Sequence, residues 1–389
     1  MCWDKQTISE CAEYLQRGKS PKYSTSGSVR IINQKCIRWN SIDFNHARYF
    51  ESEAAAALPE IRFLQPGDVL INSTGEGTIG RANVWVNSES HWVVDSHVTI
   101  VRPSRAILDS WWLKYWIESP EGQDFITGAK TGATKQTELS AFRIKETKIP
   151  CPPIDEQQRI VGLIKESMER MNELAELFQS QQDDFTELKL SLVLGTSSEH
   201  TEWARVGELV DWIQESEPVV EGSTYQFAGM RSFGNGIFHN STKGSADFAY
   251  KSLRRLKYRD FIYPKLMAWE GAFGMVTQDF EDYVVSPEFV VFRPKNGAIC
   301  PEVLDTYFRS PYCLQQVRDA STGTNRRRNR LNPKAFLTLQ MPFPSIEKQR
   351  HLVEVYRIEE EAKRDWKDRQ EGLAALRESI LHKAFSGEF

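Results

Sequence analysis

The sequence predicts an α+β protein made of two similar halves, each a globular domain followed by a long polar helix. Three observations lead to this prediction. The second half repeats landmarks of the first at a nearly constant offset, short strand-like runs fill the globular parts, and two stretches with heptad spacing follow them. Two such halves in one chain make a pseudo-symmetric dimer, which suits a target that itself has two halves.

The repeat is clearest where each globular domain ends. The segment KIPCPPIDEQ at 148–157 returns as QMPFPSIEKQ at 340–349, an offset of 192 residues. Other landmarks return at an offset of 191 or 192: Ser119-Pro120 as Ser310-Pro311, Arg102-Pro103 as Arg293-Pro294, Thr131-Gly132 as Thr322-Gly323, Leu139 as Leu331, and Asp68 as Asp260. These shared landmarks indicate a duplicated unit, with domain boundaries at 1–150, 151–196, 197–342 and 343–389.

Short apolar and β-branched runs, broken by Gly, Ser and Asn, predict strands in the globular domains. They lie at 29–32, 68–72, 82–86, 98–101 and 289–292. Short helices are expected at 110–118 and 301–309, each ending at Ser-Pro because proline disfavours helical backbone in the residue before it. Strands should therefore outnumber helices in these domains.

A long helix is predicted after each proline-rich segment. Asp155 and Glu347 place negative charge at the helix starts, where the helix dipole favours it. Two interrupted apolar heptad tracks in one chain predict two long helices that form an antiparallel coiled coil. The alternative is that each helix packs separately on its own domain. The tracks are Ile164, Met171, Phe178, Phe185 and Leu192 in the first helix, and Leu352, Trp366, Leu373 and Ile380 in the second.

Composition and charge permit nucleic-acid binding without demanding it. The 389 residues are 40% hydrophobic with a net charge of −4, and no apolar run is long enough to cross a membrane. The first helix is acidic, with 4 Lys and Arg against 9 Asp and Glu at 155–195, whereas 1–150 has 18 against 17 and 201–340 has 18 against 16. The six cysteines lack paired spacing and no leader precedes them, so we expect reduced thiols in a cytoplasmic protein.

One motif suggests a nucleotide site, the glycine pattern GEGTIG at Gly75–Gly80. The residues after it, Arg81–Val86, are typical of a strand and not of the helix that a phosphate-binding glycine loop needs. The second copy, Trp269–Gly274, lacks the first glycine. We therefore interpret this motif as a glycine turn joining two strands.

Other catalytic and metal-binding patterns are missing from the sequence. The seven histidines have no metal-ligand spacing with one another or with cysteine. No nucleophile elbow or zinc-protease motif occurs. The Asn/Asp-Pro-Pro-aromatic motif of amino-methyltransferases is absent, and Phe233–Gly236 is only a faint echo of a methyl-donor loop. The chain is expected to be non-catalytic, and to bind no cofactor or metal itself.

The main candidates for DNA contact are two cationic loops at equivalent positions of the two halves. Their hydroxyl groups and cations suit phosphate contact, while Arg, Asn and Gln can read base edges. The alternative is a solvated basic turn, or one that pairs with the acidic helices. The candidates are Lys130, Thr131, Thr134, Lys135 and Gln136 in the first loop, Thr322, Thr324, Asn325, Arg326, Arg327, Arg328 and Arg330 in the second, and Ser73, Thr74 and Arg81 at the glycine turn.

In this organisation the chain resembles the specificity subunits of type I restriction–modification systems. The segment PCPPIDEQ at 150–157 is similar to that family's Pro-Leu-Pro-Pro-Leu-x-Glu-Gln signature, and the ending AFSGEF at 384–389 is similar to its common Ala-Phe-Ser-Gly-Glu close. The segment from Gly67 to Gly80 resembles its target-recognition domains. The second signature departs from the pattern, with Ser345 in place of proline and Lys348 in place of glutamate.

The resemblance implies two target-recognition domains, each reading one half of a split, asymmetric sequence in double-stranded DNA. The two helices would act as a ruler between the half-sites, and two methyltransferase subunits would pack on their apolar tracks. Those partners would carry S-adenosylmethionine. Restriction subunits that use ATP and Mg²⁺ would join for cleavage, and no membrane is involved.

Two other interpretations stay open at this point. One is a DNA-modifying methyltransferase with an unrecognised cofactor site, which tight binding of S-adenosylmethionine by the purified chain would support. The other is a coiled-coil scaffold indifferent to DNA, which the paired cationic loops disfavour.

Overall fold

The computed structural model describes residues 3–51, 53, 55, 57–89, 91–131, 137–195, 201–295, 297–323 and 329–389. The chain divides into two compact units. The first unit comprises Met1–Ala175 and Asp368–Phe389, and the second comprises Glu176–Lys367. Each unit therefore holds one globular domain together with part of each long helix.

The first globular domain is built from short strands and helices, as its broken apolar runs predict. Its strands are β1 (Lys5–Thr7), β2 (Ala12–Arg17), β3 (Tyr23–Ser24), β4 (Arg30–Ile32), β5 (Arg48–Phe50), β6 (Val69–Asn72), β7 (Ala82–Val84), β8 (Trp92–Val94), β9 (Val98–Pro103) and β10 (Lys148–Pro150). Its helices are α1 (Ile8–Cys11), α2 (Ser110–Glu118), α3 (Pro120–Ala129) and α4 (Ala141–Glu146), with 3-10 turns at Phe44–His46 and Glu60–Arg62. The long helix α5 (Ile154–Leu194) follows.

These strands form two main sheets. One has the order β2-β9-β6-β7 and is antiparallel throughout. The other has the order β3-β5-β4-β8, in which β4 and β8 run parallel. The first strand, β1, pairs with the last, β10, so the domain is closed just before α5 begins.

The second globular domain repeats this construction. Its strands are β11 (Glu202–Arg205), β12 (Val210–Ile213), β13 (Glu217–Pro218), β14 (Thr224–Met230), β15 (Ile237–Gly244), β16 (Ser252–Arg255), β17 (Phe261–Pro264), β18 (Gly274–Met275), β19 (Val284–Val285), β20 (Phe289–Pro294), β21 (Ser321–Thr322), β22 (Arg330–Leu331) and β23 (Gln340–Phe343). Its helices are α6 (Val206–Leu209), α7 (Pro301–Arg309), α8 (Leu314–Ala320) and α9 (Pro333–Phe336), with 3-10 turns at Ser245–Asp247, Ala268–Glu270, Gln278–Phe280 and Pro311–Cys313. The long helix α10 (Ile346–Ser386) follows.

The sheet orders confirm the duplication predicted from the sequence. The order β12-β20-β17-β18 reproduces β2-β9-β6-β7 strand for strand. The second sheet, β13-β16-β19-β14-β15, contains the parallel pair β14 and β19, which corresponds to β4 and β8. β11 pairs with β23 as β1 pairs with β10. The helices predicted at 110–118 and 301–309 are present with those bounds as α2 and α7.

A buried ion pair occupies the same place in both domains. The Asp68 carboxylate at the start of β6 accepts a hydrogen bond from Arg102 Nε at 2.7 Å, and Asp260 accepts one from Arg293 Nε at 2.8 Å. Both aspartates are fully buried. The repeated aspartate and arginine of the sequence therefore join the two central strands of the sheets β2-β9-β6-β7 and β12-β20-β17-β18.

The proline-rich signatures end in a buried glutamine that anchors the start of each long helix. Gln157 accepts a hydrogen bond from the Asp109 backbone N–H at 2.9 Å and donates one to the Pro152 carbonyl at 2.8 Å. Gln349 accepts one from the Cys300 N–H at 2.9 Å and donates to the Pro344 carbonyl at 2.9 Å. The departures at Ser345 and Lys348 leave this arrangement intact.

The two long helices pack against each other through the predicted apolar tracks. In the second unit the Phe178 and Trp366 rings stack with their centroids 4.3 Å apart. In the first unit Ile164 is buried in one cluster with Leu381, and Ile380 packs against that cluster. All the track residues named above are buried or half-buried. The predicted antiparallel coiled coil is confirmed, and its tracks are covered within the chain.

Candidate nucleic-acid interface

The first cationic loop is carried by a hairpin in the first unit. Thr131 and Glu138 close it with two backbone hydrogen bonds of 2.9 Å, one in each direction. The adjacent Leu139 is buried, and its N–H donates to the Ser73 carbonyl at 2.8 Å. Lys130 and Thr131 are exposed at the base of the loop. The predicted contact residues Thr134, Lys135 and Gln136 lie outside the described residues.

A corresponding hairpin carries the second cationic loop. β21 and β22 pair antiparallel, with Thr322 opposite Arg330. The buried Leu331 donates its N–H to the Lys265 carbonyl at 2.9 Å, which repeats the bond from Leu139 to Ser73 at an offset of 192. Arg330 is exposed and lies 3.1 Å from a Glu288 carboxylate oxygen. The predicted residues Thr324, Asn325, Arg326, Arg327 and Arg328 lie outside the described residues.

The glycine motif is a turn, as the sequence predicts. It joins β6 to β7, which pair antiparallel, and its three glycines have left-handed backbone angles, with φ of 97°, 73° and 83°. At Gly80 an added Cβ would lie 2.7 Å from the Ile126 side chain, so the turn also needs glycine for space.

The other three candidates near this turn take different positions. Ser73 is fully buried and its hydroxyl lies 2.5 Å from the Thr99 hydroxyl, so it supports the strand and is not available to a ligand. The Thr74 hydroxyl lies 2.7 Å from His97 Nδ1. The Arg81 guanidinium donates to the Gly77 carbonyl at 2.7 Å and braces the turn. Thr74 and Arg81, both half-buried, lie at the edge of the turn.

One element of this region was not predicted from the sequence. It is the loop after β4 in the first domain and the corresponding loop after β14 in the second. In the first domain the Gln34 side chain accepts a hydrogen bond from the Thr74 hydroxyl at 3.2 Å. In the second domain the Phe233 N–H donates to the Glu270 carbonyl at 2.9 Å. Each loop therefore lies against the turn that follows β6 or β17. The signal available in the sequence was the segment Phe233–Gly236, which was interpreted only as a faint echo of a methyl-donor loop.

An ion pair lies where each globular domain meets the long helices, and the order of its acid and base along the chain is reversed between the two units. In the first unit Lys114 lies 2.8 Å and Arg377 lies 3.0 Å from Glu118 Oε2. At the positions 191 residues later, Arg309 lies 2.8 Å from Asp305 Oδ2. Each pair is spaced i to i+4 along α2 or α7, but the acid comes second in the first unit and first in the second unit.

The pKa values of the carboxyls of Glu118 and Asp305 shift in different directions, although burial acts to raise both. Burial raises the pKa of the Glu118 carboxyl in spite of its two cationic neighbours. Burial also acts to raise the pKa of Asp305, but the Arg309 guanidinium and hydrogen bonds from the Met275 N–H and the Tyr356 hydroxyl outweigh it, so that pKa is lowered. These carboxyls face the helices and hold the domain in place, which suits a structural role.

The described thiols are poorly suited to nucleophilic chemistry. Burial raises the pKa of Cys11 to about 12, that of Cys36 to about 11, and those of Cys300 and Cys313 to about 12. A thiol reacts as its thiolate, so these groups are inert at neutral pH. Among the residues described, no group of His, Cys, Asp and Glu could hold a metal ion, and no helix is long and apolar enough to cross a membrane.

Comparison with known proteins agrees with the family resemblance. No protein-family model matches the sequence. The putative type I restriction enzyme MjaX specificity subunit of Methanocaldococcus jannaschii is 19% identical over 166 residues, which cover 42% of this chain. The match spans only 39% of the length of that relative.

Two solved structures share the fold over nearly the whole chain. One, from a study of complex assembly and conformational transition of the type I R-M system, has a TM-score of 0.63 at 18% identity and covers 100% of this chain and 98% of its own. The other, the S subunit of the type I restriction–modification system of M. genitalium, has a TM-score of 0.50 at 14% identity, covering 98% and 96%. The fold implied by the sequence resemblance is confirmed.

Proposed function

We propose that this chain is the non-catalytic, sequence-specific DNA-recognition subunit of a type I restriction–modification complex. It reads a bipartite target, with one half-site for each globular domain. The observation that carries this proposal is the repeated hairpin of this chain, which each domain anchors through a buried leucine and the same backbone bond. It occurs in a fold shared with a structure from a type I restriction–modification system.

The chemistry of the two hairpins supports DNA as the ligand. Lys130 and Arg330 are exposed cations at the bases of loops whose sequences add further Lys or Arg. Cations, hydroxyls and backbone N–H groups bind phosphate and set the register on the duplex, while Arg and Gln side chains can read base edges in the major groove. The rigid stems give such contacts a defined position.

The two half-sites differ in sequence, so the whole target is asymmetric. The first loop offers Lys, Thr and Gln, whereas the second offers four arginines and two asparagines. The neighbouring loops differ as well, with Gln34 in the first domain and Phe233 in the second. Different donors and acceptors select different base pairs.

The long helices bind two methyltransferase subunits, which carry S-adenosylmethionine, and restriction subunits using ATP and Mg²⁺ join that complex in the cytoplasm. Because the heptad tracks are covered within the chain, the partners use other apolar side chains. Each unit exposes large apolar residues on its helical segments, which are atypical of a surface that stays in water. They are Leu163, Leu174 and Leu376 in the first unit and Leu177, Leu188 and Ile358 in the second. The length of the helices then sets the spacing between the half-sites.

The test is to express the chain with its methyltransferase partner and to map adenine methylation on random DNA. A split, asymmetric motif that disappears when the chain is left out is the expected result. An unchanged methylation pattern without the chain would contradict the proposal. Tight binding of S-adenosylmethionine by the chain alone would instead support a methyltransferase.

A further inference from the structure

Phe233 presents an aromatic ring to solvent from the loop between β14 and β15. Its side chain is 77% exposed, although phenylalanine is a residue type that proteins usually bury. Its backbone lies in the left-handed region, with φ of 61°. A residue other than glycine is strained in that region, so surrounding contacts must hold it there.

Those contacts are made by the backbone of Phe233 and of the following Gly234. The Phe233 N–H donates to the Glu270 carbonyl at 2.9 Å, and the Gly234 N–H donates to the Gly271 carbonyl at 3.0 Å. The Arg309 guanidinium donates to the Gly234 carbonyl at 2.9 Å. A Cβ on Gly234 would lie 2.5 Å from the Arg309 carbonyl oxygen. The loop is therefore fitted closely to the domain, and it holds the ring outward.

The loop sits beside the hairpin that carries the arginine-rich segment. The 3-10 turn Ala268–Glu270, to which Phe233 is bonded, packs against β22 and α8. Lys265, in the same segment between β17 and β18, accepts at its carbonyl the hydrogen bond from the N–H of Leu331 in that hairpin. Phe233 and the hairpin of β21 and β22 thus share one edge of the second domain.

The first domain has a side chain of different chemistry at the corresponding place. Gln34 follows β4, the strand paired in parallel with β8, just as Phe233 follows β14, which pairs in parallel with β19. The Gln34 carbonyl accepts a hydrogen bond from the Asn72 amide at 3.0 Å, beside the glycine turn. One position in the fold therefore carries an amide in one domain and an aromatic ring in the other.

We infer that Phe233 is a DNA-contact residue whose ring stacks on a base of the half-site read by the second domain. This inference rests on the proposed function. A phenylalanine ring cannot hydrogen-bond to base edges, but it can stack on an unstacked base or wedge into a base step. The residues around it, Arg231, Ser232 and Asn235, are polar or cationic, which suits a phosphate-lined surface better than an apolar groove of a partner protein.

The test compares Phe233→Ala, Phe233→Gly and Phe233→Trp in the complex with the methyltransferase subunits. Binding is measured on a duplex carrying both half-sites, at several salt concentrations. Without the stacked ring, Phe233→Ala and Phe233→Gly should bind about tenfold more weakly, with the same slope of log affinity against log salt. Phe233→Trp should keep most of the affinity. Val220→Ala, which removes another exposed apolar side chain of this domain, is the control.

Thermal unfolding separates binding from folding. Phe233→Gly relieves the left-handed backbone, so it should unfold at the same temperature as the wild type or a higher one. Affinity within twofold of the wild type for both Phe233→Ala and Phe233→Gly overturns the inference. Failure of these variants to assemble with the methyltransferase overturns it in favour of a protein contact. If the wild-type complex recognises no split sequence, the proposed function itself fails, and the inference fails with it.

Discussion

Lys189 donates a hydrogen bond from Nζ to Oε2 of Glu359 across 2.7 Å, and both side chains are buried where the two long helices meet in the second unit. Glu359 occupies a position of the heptad track that is otherwise apolar. The pair is supported by Lys363, 2.9 Å from Glu359 Oε1, and by the Tyr356 ring, whose centroid lies 4.7 Å from Lys189 Nζ. A charged pair at one track position favours a single register of the two helices, because a shifted register would bury each charge unpaired.

Replacing Glu359 by leucine should destabilise the second unit by about 3 kcal/mol, since it leaves the Lys189 ammonium buried without its partner. The double variant Lys189→Met with Glu359→Leu should recover most of that loss, because both charges are then removed together. Denaturant unfolding of the single and double variants checks this. Glu360→Leu, at the adjacent position of the same helix, is the control. Equal stability of Glu359→Leu and Glu360→Leu would contradict the prediction.

Replacing Gln157, the buried glutamine of the first proline-rich signature, should lower stability about as much as replacing Glu359. Gln157→Leu removes the acceptor of the Asp109 N–H and the donor to the Pro152 carbonyl, and leaves both buried groups unpaired. Each such group costs about 1–3 kcal/mol, so we expect a loss of roughly 3 kcal/mol in the free energy of unfolding. Gln158→Leu changes the exposed neighbour and should have little effect. If the two variants unfold alike, the anchoring role assigned to Gln157 is wrong.

Acid should weaken the second unit through Asp305 and Glu359. Burial acts to raise the pKa of Glu359, but Lys189 and Lys363 outweigh it, and the pKa is lowered, as it is at Asp305. A carboxyl with a lowered folded pKa stabilises the fold above its unfolded pKa, and that stabilisation is lost as pH falls through the folded value. The ordinary values are 3.8 for Asp and 4.5 for Glu, so the loss begins below about pH 4.

Asp305→Asn tests this directly. The variant should be less stable than the wild type at neutral pH, since Arg309 loses its charged partner, but its stability should fall less steeply below about pH 4. The midpoint of urea unfolding, measured from neutral pH into the acid range, gives both quantities. Asp319→Asn, an exposed aspartate on α8, is the matched control. An acid dependence unchanged in Asp305→Asn would remove this carboxyl from the explanation.

The parts of the fold that the sequence predicted are those with local or repeated signals. The offset of 191 or 192 residues predicted the duplication, which the repeated sheet order confirms, and Ser-Pro located the ends of α2 and α7. The heptad tracks predicted the helix pairing. Such signals depend on neighbours in sequence or on a second copy of the same pattern, and both could be read without tertiary contacts.

The missed features depend on contacts between distant residues. Gln34 reaches Thr74 across 40 positions, and nothing local to either residue indicates that contact. Ser73 was a candidate because it lies at the edge of the glycine turn, but whether a hydroxyl there points to Thr99 or to solvent depends on the neighbouring strand.

The second cationic loop should contribute affinity through charge, unlike the ring of Phe233. Replacing Arg326 and Arg328 by alanine removes two potential phosphate contacts, so DNA binding by the assembled complex should weaken for every sequence tested. The slope of log affinity against log salt should become shallower by about 0.9 for each phosphate that the loop no longer neutralises. Lys334→Ala removes an exposed cation from α9, in the same domain but outside the loop, and serves as the control. A slope that is the same in the double arginine variant and the wild type would show that this loop does not contact the phosphate backbone.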